Sequence, residues 1–185
     1  MEKRGFPSTN SNRGVQIILV AALTLALDQL SKWAALVYLM DTPRGIEVTA
    51  FFNLRLGFTT GVSFGLFRDL FANAPELLAL ISLVIVAVLL IWAWRSGSLF
   101  ERISLAMTAG GALGNIVDRW RQGAVTDFLD FHWAGWYWPT FNGADIFITL
   151  GALCLLLSGL RRTDETIRKE KRVTGQHGPS RVNRL

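Results

Sequence analysis

The chain is poor in the residues that hold metals or cross-links. Its 185 residues include one cysteine, Cys154, and two histidines, His132 and His177. A lone cysteine allows no intrachain disulfide, and these three residues, in unrelated segments, make no zinc site. Charge is scarce as well. Asp, Glu, Lys and Arg make up 18% of the sequence, against about 25% in soluble domains. Hydrophobic residues make up 51% and gather in long blocks. That pattern excludes an ordinary soluble domain and points to a polytopic membrane protein. Internal repeats and low-complexity tracts are lacking. The net charge of +5 sits at the chain ends rather than among aromatics on one face, so no nucleic-acid partner is expected.

Four apolar blocks are present, at Val15–Met40, Leu70–Trp94, Ile103–Val117 and Phe141–Leu160. A spanning helix needs ~20 apolar residues, with ~17 tolerated. The second and fourth blocks meet this. The first is long enough but carries Asp28 and Lys32, and the third is short and rich in small residues. The reading is four transmembrane helices. The first block lacks a clean small-residue cleavage site and resumes after Asp28-Gln29, so it reads as a retained helix. Residues 1–14 form an N-terminal tail, 15–160 the membrane domain, and 161–185 a basic, solvated C-terminal tail.

Lys and Arg set the orientation. Three lie in the N-terminal tail, two between the second and third blocks, and eight from Arg161 onward, against five in segments 41–69 and 118–140. Both termini are therefore expected in the cytoplasm, with the two longer loops outside. Segment 46–67 alternates and is rich in β-formers and Gly, which predicts a short strand pair at the membrane surface. Segment 128–139 carries Phe128, Phe131, Trp133, Trp136, Tyr137 and Trp138, which predicts an interfacial aromatic loop.

Carboxylates near a span cost energy and tend to be functional. Asn115, Asp118 and Arg119 share one helical face by their i, i+3, i+4 spacing, and Asn142 and Asp145 repeat the i, i+3 pair. Both pairs fall at the outer membrane face, and Asp127 lies on the loop between them. Two carboxylates flanked by amides is the composition an aspartyl protease needs, because close carboxylates share one proton. Spacing alone leaves two other readings open: structural ion pairing with Arg119, Arg121 and Lys32, or a small transporter with a proton pathway through Asp28, Asp118 and Asp145. Asp28 reads as structural, with Lys32 at i+4. Gly110, Gly111 and Gly114 permit close helix approach.

The motifs resemble those of the bacterial lipoprotein signal peptidases, the signal peptidase II family. The matching segments are Asp28-Gln29-Leu30-Ser31-Lys32, Gly61-Val62-Ser63-Phe64, Gly110 through Arg119, Gly123 through Phe128, and Trp138 through Asp145, in family order across residues 15–160. The resemblance implies a four-helix inner-membrane enzyme with a small extracytoplasmic β-cradle and an interfacial loop or helix. It implies an aspartyl endopeptidase that cuts diacylglyceryl-modified prolipoproteins before the lipidated cysteine. Asp127 and Asp145 match the family's catalytic pair. Asn115, Asp118, Arg119 and Asn142 match residues that line and support the site, Gly61 matches the second motif, and Asp28 matches the first-helix aspartate. No metal or organic cofactor is implied; the expected partners are prolipoproteins and membrane lipid, and a monomer is expected. One departure stands out. Thr59 occupies the position where the family usually carries Asn, and Asn53 is the nearby amide that would compensate.

Overall fold

The computed structural model describes residues 9–61 and 75–175, with side chains over 12–61 and 76–160. The expected strand region beyond Gly61, including Val62-Ser63-Phe64, lies outside the described residues. Four helices and four strands are described: α1 (Thr9–Leu39), β1 (Ile46–Thr49), β2 (Phe52–Thr59), α2 (Pro75–Arg95), α3 (Leu99–Gln122), β3 (Val125–Trp133), β4 (Trp136–Tyr137) and α4 (Gly143–Gly175).

The helices are built inside out relative to a soluble bundle. Buried positions on α1 are Ile17, Ala21, Thr24, Asp28, Lys32, Ala35 and Leu39, a single helical stripe, while Ile18, Leu19, Leu23, Leu30 and Trp33 are exposed. On α2 the most deeply buried residues, Ala79, Val86 and Ala93, recur every seven residues. They form a narrow seam, and Leu80, Val84, Ile85 and Val88 face outward. Apolar exteriors with polar groups on the inner stripes are what a hydrocarbon solvent selects.

Helix α3 is the hub of the bundle and makes the main contacts with the other three helices. Its glycines explain how. A Cβ on Gly110 would stand 2.5 Å from the Ala21 carbonyl of α1, and one on Gly111 would stand 2.8 Å from the Ala144 carbonyl of α4. A Cβ on Gly114 would collide with the Asp28 carboxylate. Ser98 caps the start of α3 by accepting from the Glu101 amide at 3.4 Å, and Gly123 ends it at φ 74°.

Three of the four helices are long and apolar enough to cross a membrane: Asn12–Leu39, Glu76–Arg95 and Gly143–Leu160. Helix α3 does not meet that measure of length and composition, so the count of three is coarser than the four spans expected. Its polar residues, Arg102, Asn115, Asp118 and Arg119 among them, lower its hydropathy, and it tolerates them because its neighbours bury it. Its 24 residues still measure roughly 36 Å at ~1.5 Å per residue. The last helix continues beyond Leu160, where a tail was expected, to Gly175.

The strands form one antiparallel sheet in the order β1-β2-β3-β4. Segment 46–59 pairs as expected. Segment 118–140 was read as a loop and is not one: α3 runs to Gln122, and the aromatic stretch folds as β3 and β4. Interfacial aromatics mask strand alternation there, because both faces of β3 carry large apolar side chains. In the β2–β3 register Gly57 opposes Asp127 and Thr59 opposes Val125. Thr59 is therefore the diagonal same-face neighbour of Asp127.

Candidate active site

Asp127 enters from strand β3 and Asp145 from the first turn of α4, and Asn142 joins them. The Asn142 side-chain amide donates to Asp127 Oδ1 at 2.6 Å, and its backbone N–H donates to Asp145 Oδ2 at 3.3 Å. In return its Oδ1 accepts the Asp145 backbone N–H at 3.1 Å, as the cap of α4. The i, i+3 spacing of Asn142 and Asp145 is thus a helix start whose capping residue also holds the other aspartate. Thr59 Oγ1 donates to Asp127 Oδ2 at 2.6 Å, and Asn115 Nδ2 donates to Asp145 Oδ1 at 3.1 Å.

Asp127 is 4% exposed, and Asn142 is fully buried. Burial pushes the Asp127 carboxyl up to about 6, and the negative charge of Asp145 adds to this. The donors Thr59 and Asn142 and the charge of Lys32 pull the other way. Loss of hydration disfavours the carboxylate, and donors restore part of what water gave it.

A second polar cluster lies directly behind this pair. Lys32 Nζ contacts Asp28 Oδ2 at 2.9 Å, Asp118 Oδ2 at 3.0 Å and Asn115 Oδ1 at 2.8 Å. Asp118 also accepts from the Thr126 backbone N–H at 3.0 Å and from Gln29 Nε2 at 3.1 Å. Asp28 Oδ1 accepts the Ala144 backbone N–H at 2.7 Å. Arg119 donates to the Gly61 carbonyl at 2.8 Å and to the Asn115 carbonyl at 3.4 Å, tying the end of β2 to α3.

All nine residues singled out from the sequence therefore meet at one end of the bundle. Asp28 does not stand apart as a purely local partner of Lys32, because it reaches the first turn of α4. Asn53 opposes Asp130 in the sheet register, so the place of the usual amide is filled by Thr59 itself. Sequence reasoning gave Lys32 only structural ion pairing, with Asp28 at i+4 or with the other aspartates, and it missed the parts played by Gln29 and Thr126. The Asp28–Lys32 spacing was a usable signal for Lys32. Thr126 gave none, since it acts through a backbone N–H that nearly any residue supplies.

A cavity of about 550 Å³ opens beside Asp145, Asn115 and Arg119. Its walls are Leu78 and Ser82 from α2 and Ile146, Thr149 and Leu150 from α4. An apolar trough leading to paired carboxylates suits a segment that arrives from lipid.

Fold and site together fit one class, a membrane peptidase of the aspartyl type. Comparison with known proteins narrows this. The family model described as signal peptidase (SPase) II matches residues 20–161. A lipoprotein signal peptidase of Aeromonas hydrophila is 37% identical over 156 residues, 83% of this chain and 93% of that protein. One of Rhizorhabdus wittichii is 42% identical over 143 residues, 76% and 83% of the two chains. A solved bacterial membrane enzyme superposes with TM-score 0.69 at 24% identity, covering 99% of each chain. Another, at 26% identity, gives TM-score 0.61 over 86% of this chain and 97% of that one. The chain belongs to the signal peptidase II family.

Proposed function

We propose that Asp127 and Asp145 are the catalytic pair of an aspartyl endopeptidase that removes signal peptides from diacylglyceryl-modified prolipoproteins, cutting before the lipidated cysteine. One observation carries the reading: Asn142 bonds both carboxyl groups, by its side chain and its backbone, beside an apolar trough. The negative charge of Asp145 disfavours ionisation of Asp127, so the pair favours a state with one proton between them. The short donors Thr59 and Asn142 favour the ionised form of Asp127, which suits it to activate water as general base. Asp145 keeps the shared proton and polarises the scissile carbonyl. The proton then passes to the leaving amine as the tetrahedral intermediate collapses.

The remaining residues hold this arrangement. Asn115 and Arg119 orient the site wall and the substrate backbone, and Arg119 fixes the turn at Gly61. The substrate's signal helix lies in the trough between α2 and α4 while its diacylglyceryl chains stay in lipid. In this reading α3 is a fourth span, its polar residues shielded by α1, α2 and α4. Both termini are cytoplasmic, the sheet forms the extracytoplasmic cradle, and the site faces outward from the bacterial inner membrane. The exposed Trp133, Trp136 and Trp138 then meet the bilayer interface. The enzyme acts as a monomer without a metal or organic cofactor. The transporter reading is disfavoured: its acids, Asp28, Asp118 and Asp145, are gathered at one site instead of being spread across membrane depth.

The test is cleavage of a diacylglyceryl-modified prolipoprotein by the purified protein in detergent, followed by mass shift. Asp127→Asn and Asp145→Asn are each expected to abolish processing. Wild-type rate in either variant, or equal cutting of unlipidated substrate, refutes the assignment.

A further inference from the structure

Lys32 is 2% exposed, and its ammonium reaches both catalytic aspartates through intermediaries. We propose that Lys32 is a positioning residue for Asp127 and Asp145 together, its three N–H donors fixing three acceptors that each hold a group at or next to one of those aspartates. This rests on the catalytic pair proposed above.

An ammonium has three donors and no acceptor. Here the three acceptors are Asp28 Oδ2, Asp118 Oδ2 and Asn115 Oδ1, at 2.9, 3.0 and 2.8 Å. The Asn115 arm is the most direct. With its oxygen bound to the cation, its NH₂ must face Asp145 Oδ1, 3.1 Å away. The flipped amide would set NH₂ against ammonium, a donor–donor repulsion in place of a bond. The cation thus chooses the sense of the amide.

The other two arms act on backbone. Asp118 holds the Thr126 N–H, one residue before Asp127, at 3.0 Å. Asp28 holds the Ala144 N–H, one residue before Asp145, at 2.7 Å. One cation on α1 thereby sets the spacing of a strand residue and a helix residue that lie eighteen positions apart in sequence. The bare Gly114 is what lets the Asp28 carboxyl lie against α3. A cavity of about 150 Å³ lined by Gln29, Lys32, Asp118, Arg121, Gln122 and Thr126, among others, adjoins the cluster.

Among the described residues, the charges near the aspartate pair are Lys32 and Asp28 from α1 and Asp118 and Arg119 from α3, and β2 contributes the Thr59 hydroxyl. Lys32 lowers the proton affinity of Asp127, so its charge also helps set where the pair titrates.

The experiment measures cleavage of a lipidated substrate against pH for wild type, Lys32→Met, Asn115→Leu and the double variant, with thermal unfolding checked for each. Lys32→Gln replaces Lys32→Met if the latter does not fold. Lys32→Met is expected to lower kcat about 100-fold with KM unchanged within about twofold, as for a residue that does not touch substrate. The acid limb is expected to move up by about one pH unit as the nearby cation is lost. The double variant should fall short of the product of the two single losses, because the Asn115 arm is cut in both while the Asp118 and Asp28 arms are cut only with Lys32. A raised KM with intact kcat, an unmoved acid limb in a folded variant, or losses that multiply would each overturn the proposal. Should Asp127→Asn or Asp145→Asn retain activity, the catalytic reading itself fails. Should both be dead while Lys32→Met runs at wild-type kcat, only the positioning role fails.

Discussion

Thr59→Val isolates one hydrogen bond without changing the shape of the site. Val keeps the branched outline of Thr and removes the hydroxyl that donates to Asp127 Oδ2 at 2.6 Å. A bond to a charged acceptor is worth about 1.5–3 kcal/mol, and one pKa unit corresponds to about 1.36 kcal/mol. Loss of the donor disfavours the carboxylate, so the shift is upward. Asp127 already titrates at about 6, above the ordinary carboxyl value of 3.8, because of burial. The base form therefore appears only as pH rises through that value. In Thr59→Val the acid limb of kcat/KM should rise by about one to two units. At pH 7 the ionised fraction would fall from about 90% to between about 50% and 10%, a roughly two- to tenfold loss that is recovered by pH 9. A fluorogenic lipopeptide assayed from pH 4.5 to 9 reads this directly. Thr59→Asn, which restores the amide usual in the family, should return the limb toward wild type. A Thr59→Val profile superimposable on wild type, or an Asn variant shifted as far as the Val variant, would refute the reasoning.

Three further outcomes follow from the geometry. Gly114→Ala forces a methyl into the Asp28 carboxyl and should cost about 1–3 kcal/mol, as overpacking does, read as a lowered thermal midpoint; an unchanged midpoint would mean that α1 and α3 are not in close contact. Asn142→Ala removes the bridge between the two aspartates and should lower kcat at least about 100-fold with little change in KM; a loss confined to KM would place Asn142 in substrate binding instead. Activity should persist in excess chelator, since donors on Thr59, Asn142 and Asn115 already occupy the aspartate oxygens; loss that is reversed by added metal would contradict this chemistry.

The four helices were legible as hydropathic blocks, and their ends were not. Helix α4 runs past Leu160 because Arg161 onward is charged but contains good helix formers and no proline before Pro179, so hydropathy ends where helicity does not. Strands β3 and β4 were hidden because their aromatics serve the membrane interface as well as the sheet. The candidate site was legible because its residues come in short local motifs whose helical spacing reveals shared faces. What local spacing does not encode is the third dimension. Nothing in Asp28-Gln29-Leu30-Ser31-Lys32 says that the lysine crosses to Asn115 and Asp118, more than eighty residues away. The part played by Thr59 depended likewise on the β2–β3 register, which a bulge between Leu54 and Gly57 resets.

The proposed catalytic pair sits at the two ends of a single closed ring of chain. Asp127 and Asp145 bracket the β3–β4 hairpin, and that hairpin is locked at its base by Leu129 N–H to Phe141 carbonyl at 2.9 Å and Phe141 N–H to Leu129 carbonyl at 3.1 Å. The distance between the carboxyls is therefore limited by about eighteen residues of cross-linked backbone as well as by the Lys32 contacts that reach across from α1. Helices respond to bilayer thickness by tilting; a hairpin at the rim has no such freedom. In the reading proposed above, this second tether makes the aspartate pair less sensitive to helix tilt than the trough that would receive the substrate's signal helix.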